Sequence, residues 1–305
     1  MGARAYVTVR ATGLVAAAAL TASAALALTA PSSGASVSRP SASATPSTLA
    51  SGPGGVGAKA AAVENASTGA LLWSRELNTE RPMGSITKVM TALVVIRAGD
   101  LGRKITIPYA AVAYAREHDA SSADLRAGDQ LTAGQLLEGL MLPSGCDAAY
   151  VLAEAYGPGL SAFVAKMNAT AKLMGLTRTH FANFDGLPWP TERVTYSTAA
   201  NLLTLGRVAM RSAAFRAVVD QRSYRIAAGS GHHAYLWRNT DPLLGTYRGA
   251  TGIKTGYTLA AGHCLLFEAT RNGYSLIGVT LDSPGSGTTV NGVDATRILN
   301  WTFNL

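Results

Sequence analysis

The pattern of apolar positions changes rhythm several times along this 305-residue chain, and each change predicts a different kind of segment. Residues 11–30 are an Ala/Leu/Val-rich run without a polar period, preceded by Arg4 and Arg10 and followed by small residues. A basic start, an apolar stretch and a small-residue exit predict a secretory leader over 1–35, cleaved near Ser33-Gly34-Ala35. An uncleaved anchor is the weaker reading, because small alanines dominate the run. Residues 36–57 (SVSRPSASATPSTLASGPGGVG) are rich in Ser, Ala, Pro and Gly and poor in large apolar side chains. Such a segment buries too little surface to offset ordering and is expected to be a flexible tether.

From about Ala58 the pattern is that of a folded domain, expected over 58–305. In AAAVENASTGALLWSREL two apolar runs flank Ser67-Thr68-Gly69, which predicts a β-hairpin. In ERPMGSITKVMTALVVIRAG, Gly84-Ser85 opens a helix whose apolar face is Ile86, Val89, Met90, Leu93 and Val94. Between about Thr106 and Ser212 the period is mostly helical. LTAGQLLEGLML and DAAYVLAEAYG flank a break at Pro143-Ser144-Gly145, and LSAFVAKMNATAKLMG forms another helix. The tail turns to short β runs, TGIKTGYT, HCLLFEAT and YSLIGVTL, the last two joined by an Arg271-Asn272-Gly273 turn. GVDATRILNWTF then reads as a closing helix, and no internal repeat is visible. Strands at both ends around a helical block predict a mixed α/β (α+β) fold. One antiparallel sheet, flanked by helices, joins the two termini, and an all-helical lobe is inserted, leaving a cleft between lobe and sheet.

Composition supports a sizeable core, with 48% hydrophobic and 14% charged residues. The net charge of +8 falls to +6 once Arg4 and Arg10 leave with the leader, which favours contact with polyanions such as cell-wall polymers. Nucleic acid is the poorer partner and is not expected, because no dense Lys/Arg stripe interleaved with aromatics appears. No metal or other cofactor is expected. Adjacent histidines such as His232-His233 face opposite ways in a strand and suit a solvated loop better than a metal. The sequon Asn168-Ala169-Thr170 falls mid-helix in apparent packing and is discounted as a glycosylation site.

Three short motifs carry candidate chemistry. Ser85-Ile86-Thr87-Lys88 places a hydroxyl and an amine on one helix face. A serine becomes a nucleophile when a base takes its proton, and lysine serves only when neutral. Burial, the helix N-terminus and a second nearby cation all push an amine that way. Alone, the spacing is common on ordinary helix surfaces. Lys254-Thr255-Gly256 on a strand suits carboxylate binding, with glycine allowing close backbone approach, although an exposed edge strand also uses lysine against aggregation. Ser144-Gly145-Cys146 by itself is only a turn.

In this order the three motifs resemble those of the penicillin-recognising serine enzymes, which carry Ser-x-x-Lys, Ser-x-Asn and Lys-Thr-Gly. The likeness extends from about Ala58 to the C-terminus. MLPSGCDAAYVLAEAYG, FVAKMNATAKLMGL, THFANFDGLP, YSTAANLLTL and GATGIKTGYT are similar to the D-alanyl-D-alanine carboxypeptidase family of low-mass penicillin-binding proteins. The resemblance implies a β-lactamase/transpeptidase-like fold. It makes Ser85 the acylated nucleophile, Lys88 its general base and Ser144 a proton relay to the leaving group. Lys254 and Thr255, with Gly256, would hold the terminal carboxylate of a D-Ala-D-Ala stem peptide, and Lys254 would keep Lys88 neutral. Backbone N–H groups of Ser85 and Tyr257 would form the oxyanion hole. The implied reaction is acyl transfer to water or to an amine on peptidoglycan, with β-lactams as covalent inhibitors. Secretion, association with the cell wall and a monomeric state are expected alongside it.

Two departures from the family pattern stand out. The chain stops at the closing helix, where many members continue into a second β domain and an anchor helix, so no C-terminal membrane anchor is expected. Cys146 stands where the family has asparagine; as a substrate contact it donates only weakly. Ser-Gly-Cys occurs in members acting as serine transpeptidases, so the change bears on the balance of hydrolysis and aminolysis. A catalytic thiol would want a paired base, and no motif places one. A Cys146–Cys264 disulfide, permitted by export, would tie lobe to sheet across the cleft and is not expected. Asp185-Gly186 is expected to form a turn ordering the cleft floor. The competing functions are a β-lactamase, for which Glu192 would be the only deacylating acid at a comparable point, and a non-catalytic wall-binding relic.

Overall fold

The computed structural model describes residues 52–287 and 289–305. The leader expected over 1–35 and the tether up to residue 51 lie outside the described residues. The end of the tether, residues 52–57, is packed rather than free. Val56 is buried, and the N–H groups of Gly57 and Ala58 donate to the Asp294 carboxylate at 2.9 and 2.7 Å.

In chain order the elements begin with β1 (Ala60–Asn65), β2 (Leu71–Arg75) and a 3-10 turn (Gly84–Thr87) that runs into α1 (Lys88–Ala98). The lobe follows as β3 (Lys104–Thr106), α2 (Tyr109–Glu117), β4 (Gln130–Thr132), α3 (Ala133–Met141), α4 (Cys146–Tyr156) and α5 (Leu160–Leu173). Then come α6 (Ala199–Met210), α7 (Ala213–Val219), β5 (Ser223–Ile226), β6 (Tyr235–Arg238), β7 (Ala250–Thr258), β8 (Gly262–Arg271), β9 (Tyr274–Ser283) and α8 (Val290–Thr302).

Five strands form one antiparallel sheet in the order β2-β1-β9-β8-β7, so the N-terminal hairpin joins the C-terminal meander through β1 and β9. This is the sheet expected from the split β pattern. The strands alternate with period two. Ala60 and Ala62 of β1, Leu266 of β8 and Ile277, Val279 and Leu281 of β9 face the large core beneath α1 and the lobe. Ala61, Val63, Leu265, Phe267 and Leu276 face the smaller core under α8. Two of the sheet's three hairpin turns obey plain local rules. Asn65 Oδ1 accepts from the N–H groups of Ser67 and Thr68, both at 2.9 Å, and Asn272 and Gly273 take φ of +51° and +77°, as a tight hairpin turn requires.

The helical block differs from the pattern reading in two ways. The small ladder β3–β4 interrupts it, and residues 175–198 are irregular. A second ladder, β5–β6, follows it. Strands of three or four residues give too little alternation to be read from sequence. Residues 175–198 are held by side chains instead: Asn168 of α5 brackets Phe181 through its N–H and C=O, at 3.0 and 2.7 Å. That packed role agrees with discounting Asn168 as a glycan site. α3 begins at a capping box in which Thr132 and Gln135 each bond the other's backbone N–H.

Candidate active site

The motif residues converge where the start of α1, the turn before α4 and strand β7 meet. The 3-10 turn lifts Ser85 to the cleft while Lys88, in the first turn of α1, is 0% exposed. Its Nζ lies 2.9 Å from Ser85 Oγ, 2.9 Å from the Asp185 carbonyl oxygen and 3.3 Å from Cys146 Sγ. Three acceptors thus surround one buried amine.

The Asp185 carbonyl is placed by the expected turn. Asn183 Oδ1 accepts from Gly186 N–H at 2.7 Å, and its amide donates to the carbonyls of Leu187 and Trp189. The Asp185 carboxylate takes the Tyr114 hydroxyl at 2.9 Å, which with burial raises the Tyr114 pKa. Thr91 of α1 donates to the Phe184 carbonyl at 2.5 Å, tying the turn to the helix that carries Lys88. Asp185 therefore contributes through its backbone, a role with no side-chain signature in the sequence.

The β7 side is set by close backbone approach. A Cβ on Gly256 would collide with the Met83 carbonyl, and one on Gly84, whose φ is +53°, would lie 2.8 Å from the Tyr257 nitrogen. Glycine at both positions lets the Ser85 and Tyr257 backbones sit side by side. Lys254 is 1% exposed and donates to the Thr255 carbonyl and hydroxyl at 3.2 and 3.4 Å. Thr255 also shares a 2.7 Å hydrogen bond with Thr240. Burial, and next the charge of Lys88, push Lys254 down to about 7.

Ser144 sits at φ +65°, the left-handed region that costs a non-glycine residue about 1–2 kcal/mol. Its hydroxyl is buried at the cleft wall without a partner among the described residues. Cys146, expected as a substrate contact, is 1% exposed, with its Sγ against the Lys88 amine. The first turn of α4 points it inward, so the asparagine-to-cysteine departure alters the surroundings of the amine. Burial pushes its thiol up to about 12, so it stands as a neutral S–H beside Lys88. Cys264 is also buried, and both cysteines are free.

The resulting cleft has a volume of about 510 Å³, with Ser85, Ser144, Thr255, Gly256 and Tyr257 among its lining residues. Ser121, Thr240, His263 and Asn291 also line it, and no motif announced them. Ser121 opens a strap, residues 121–125, held by Asp147, whose buried carboxylate accepts from Ala123 N–H (2.8 Å), Leu125 N–H (3.1 Å) and Ser122 Oγ (2.7 Å). Among the described residues no carboxylate lines the cleft. Glu192 lines a different cavity with Lys59, Arg81 and Asp282. His233 is occupied by Asp129, with its Nδ1 2.9 Å from Oδ1.

Comparison with known proteins agrees with this geometry. Residues 46–285 match the model of a family described as D-alanyl-D-alanine carboxypeptidase. A D-alanyl-D-alanine carboxypeptidase of Streptomyces sp. (strain K15) is 40% identical over 274 residues, covering 86% of this chain and 92% of that protein. The D-alanyl-D-alanine carboxypeptidase DacB2 of Mycobacterium tuberculosis is 35% identical, covering 70% of this chain and 71% of its own. The crystal structure of the Streptomyces K15 DD-transpeptidase superposes with a TM-score of 0.77 at 40% identity, covering 82% of this chain and 98% of that one. With a family match over most of its length, a relative at 40% identity and the three motifs gathered in one cleft, this chain belongs to the D-alanyl-D-alanine carboxypeptidase family.

Proposed function

We propose that the protein is a serine DD-peptidase that removes the terminal D-alanine of D-Ala-D-Ala stem peptides through an acyl-enzyme, passing the acyl group to water or to an amine. The observation that carries this reading is the buried Lys88 amine 2.9 Å from Ser85 Oγ, with its other two neighbours both acceptors. A neutral amine has two N–H bonds and one lone pair. Spending the N–H bonds on Asp185 O and Cys146 Sγ aims the lone pair at the Ser85 hydroxyl, the arrangement a general base needs.

Ser85 Oγ then attacks the carbonyl carbon of the penultimate D-alanine while its proton passes to Lys88. The N–H groups of Ser85 and Tyr257 receive the oxyanion. Lys254, Thr255 and Gly256 hold the terminal carboxylate, whose charge favours the protonated form of Lys254. As the C–N bond breaks, Ser144 gives its proton to the departing amine and takes one back from protonated Lys88, which restores both groups and fits a Ser144 hydroxyl that has no partner among the described residues. β-Lactams present the same carbonyl and carboxylate, acylate Ser85, and stay, because no carboxylate lines the cleft to activate water among the described residues. This last point weighs against a β-lactamase, and the completeness of the Ser85–Lys88–Lys254 set weighs against a non-catalytic relic. The enzyme is taken to be exported by the segment 1–35, to act as a monomer in the cell wall, and to carry its catalytic domain in residues 58–305. No helix among the described residues is long and apolar enough to cross a membrane.

The test is intact mass over hours with benzylpenicillin, followed by peptide mapping. A stable adduct on Ser85 is expected. Rapid decay of the adduct would indicate a β-lactamase, and no adduct, or one on Cys146, would refute the serine mechanism.

A further inference from the structure

Two side chains lining the cleft carry a buried polar atom with no partner among the described residues: the Ser144 hydroxyl and the Asn291 amide oxygen Oδ1. Ser144 belongs to a motif, whereas Asn291 belongs to none. It sits in the first turn of α8, just past the Gly285–Gly287 stretch that forms the same wall, and is 6% exposed.

The polar residues around it are accounted for. One turn further along α8, Asp294 accepts from the N–H groups of Gly57 and Ala58, and Arg297 donates to the Gly55 carbonyl. These side chains clamp the start of the domain onto α8. Asn291 takes no part in the clamp, and its amide makes no hydrogen bond to any described residue. A buried amide oxygen left without a donor weakens a fold unless something outside the fold supplies the donor.

The rest of the cleft defines what that donor is. Its side-chain polar groups are the hydroxyls of Ser85, Ser121, Ser144, Thr240, Thr255, Tyr257 and Ser286 and the His263 imidazole, each able to donate. No carboxylate is among them, so among the described residues Asn291 Oδ1 is the wall's one side-chain oxygen that can only accept. We propose that Asn291 is a specificity-determining residue whose amide oxygen receives an N–H of the ligand bound over Ser85. The inference rests on the acyl-transfer reading above. The N–H is either a backbone amide of the donor stem peptide or the amine of the incoming acceptor. Both are the same hydrogen-bonding chemistry, and kinetics separate them.

The experiment compares wild type with Asn291→Leu, which keeps the branched outline but not the amide, and Asn291→Ala. The readouts are kcat/KM on a peptide ending in D-Ala-D-Ala, the aminolysis-to-hydrolysis ratio with a D-amino acid acceptor, and thermal melts. Saturating benzylpenicillin first shows whether wild type and variants acylate at Ser85. If wild type does not, the acyl-transfer reading fails, and that result is distinct from any outcome at Asn291. With acylation intact, a drop of about 10- to 100-fold in kcat/KM supports a donor-peptide contact. An unchanged kcat/KM with a fall of similar size in the aminolysis ratio supports an acceptor-amine contact. Both variants should melt at or above the wild-type temperature, because they remove an unpartnered buried oxygen. Unchanged kinetics in both would overturn the proposal. So would a large loss of melting temperature in both, since it would mean that the amide serves the fold.

Discussion

Lys254 makes the electrostatics of the site measurable as stability. Its amine is placed at about 7 in the folded protein against 10.5 for a free lysine, with burial the larger cause and Lys88 the second. The folded pKa lies below the unfolded one, so between the two values the unfolded chain binds a proton that the folded chain does not. Stability from this residue therefore rises with pH from 7 towards 10.5, and below 7 the full cost of burying the charge is present. The displacement of about three and a half pH units corresponds to a cost on the order of 5 kcal/mol, at about 1.4 kcal/mol per unit.

Lys254→Met keeps the stem and removes the titration. Urea denaturation of wild type and variant at several pH values from 6 to 9.5 gives the difference in stability. The variant should be the more stable below pH 7, and its advantage should shrink by about 1.4 kcal/mol per unit between 7.5 and 9.5. The offset at any one pH also contains lost contacts to Thr255 and the effect on Asp241, so the slope is the diagnostic quantity. Asp241, raised to about 6 by burial, titrates below this window, and Cys146, near 12, titrates above it. In a Lys88→Met background most of the slope should persist, because burial dominates. A difference independent of pH from 7.5 to 9.5 would refute the placement of Lys254 in a dry environment.

Ser144→Ala removes an unpartnered buried hydroxyl, so it should stabilise the fold by about 1 kcal/mol while slowing acylation of Ser85 about 100-fold or more. Denaturation and the rate of benzylpenicillin adduct formation check the two halves, and a destabilised variant would show that the hydroxyl has a structural partner. Both thiols are free and buried, so Ellman's reagent should report none in native protein and two after denaturation. A native thiol that reacts within minutes would contradict the packing of α4 or β8. Asp147→Ala strands the buried N–H groups of Ala123 and Leu125, and it should cost about 2–4 kcal/mol in urea denaturation and loosen the wall carrying Ser121. A loss below about 1 kcal/mol would mean that the strap is held by other contacts.

What the sequence made legible was governed by local rules. Short apolar runs marked β7, β8 and β9 because each strand, nine or ten residues long, is buried on both faces through its middle. The Asn272-Gly273 pair fixed the register of β8 against β9, and the three-residue spacing of Ser85 and Lys88 fixed their shared helix face. Short ladders escaped notice because β3–β4 pairs only three residues on each side, fewer than two full alternations. The cleft was legible only where chemistry sits in side chains with a recognisable spacing. The Asp185 carbonyl, the Asp147 strap and the Thr240 partner of Thr255 act across separations of 97, 24 and 15 residues. No periodicity links positions so far apart.

Cys146 shows the same limit from the other side. Its position in a three-residue motif implied contact with substrate, but the direction of its side chain is set by α4, whose first turn faces the lobe core. A residue inside a motif can therefore act on the base that the motif serves rather than on the ligand. Here the thiol takes the place of an amide beside Lys88. An amide would offer both a donor and an acceptor to that amine and its neighbours, whereas a neutral thiol offers a soft, weak acceptor. The substitution therefore leaves Lys88 with two firm neighbours, Ser85 Oγ and the Asp185 carbonyl, and a weak third, so that the aim of its lone pair at Ser85 rests chiefly on the N–H held by Asp185.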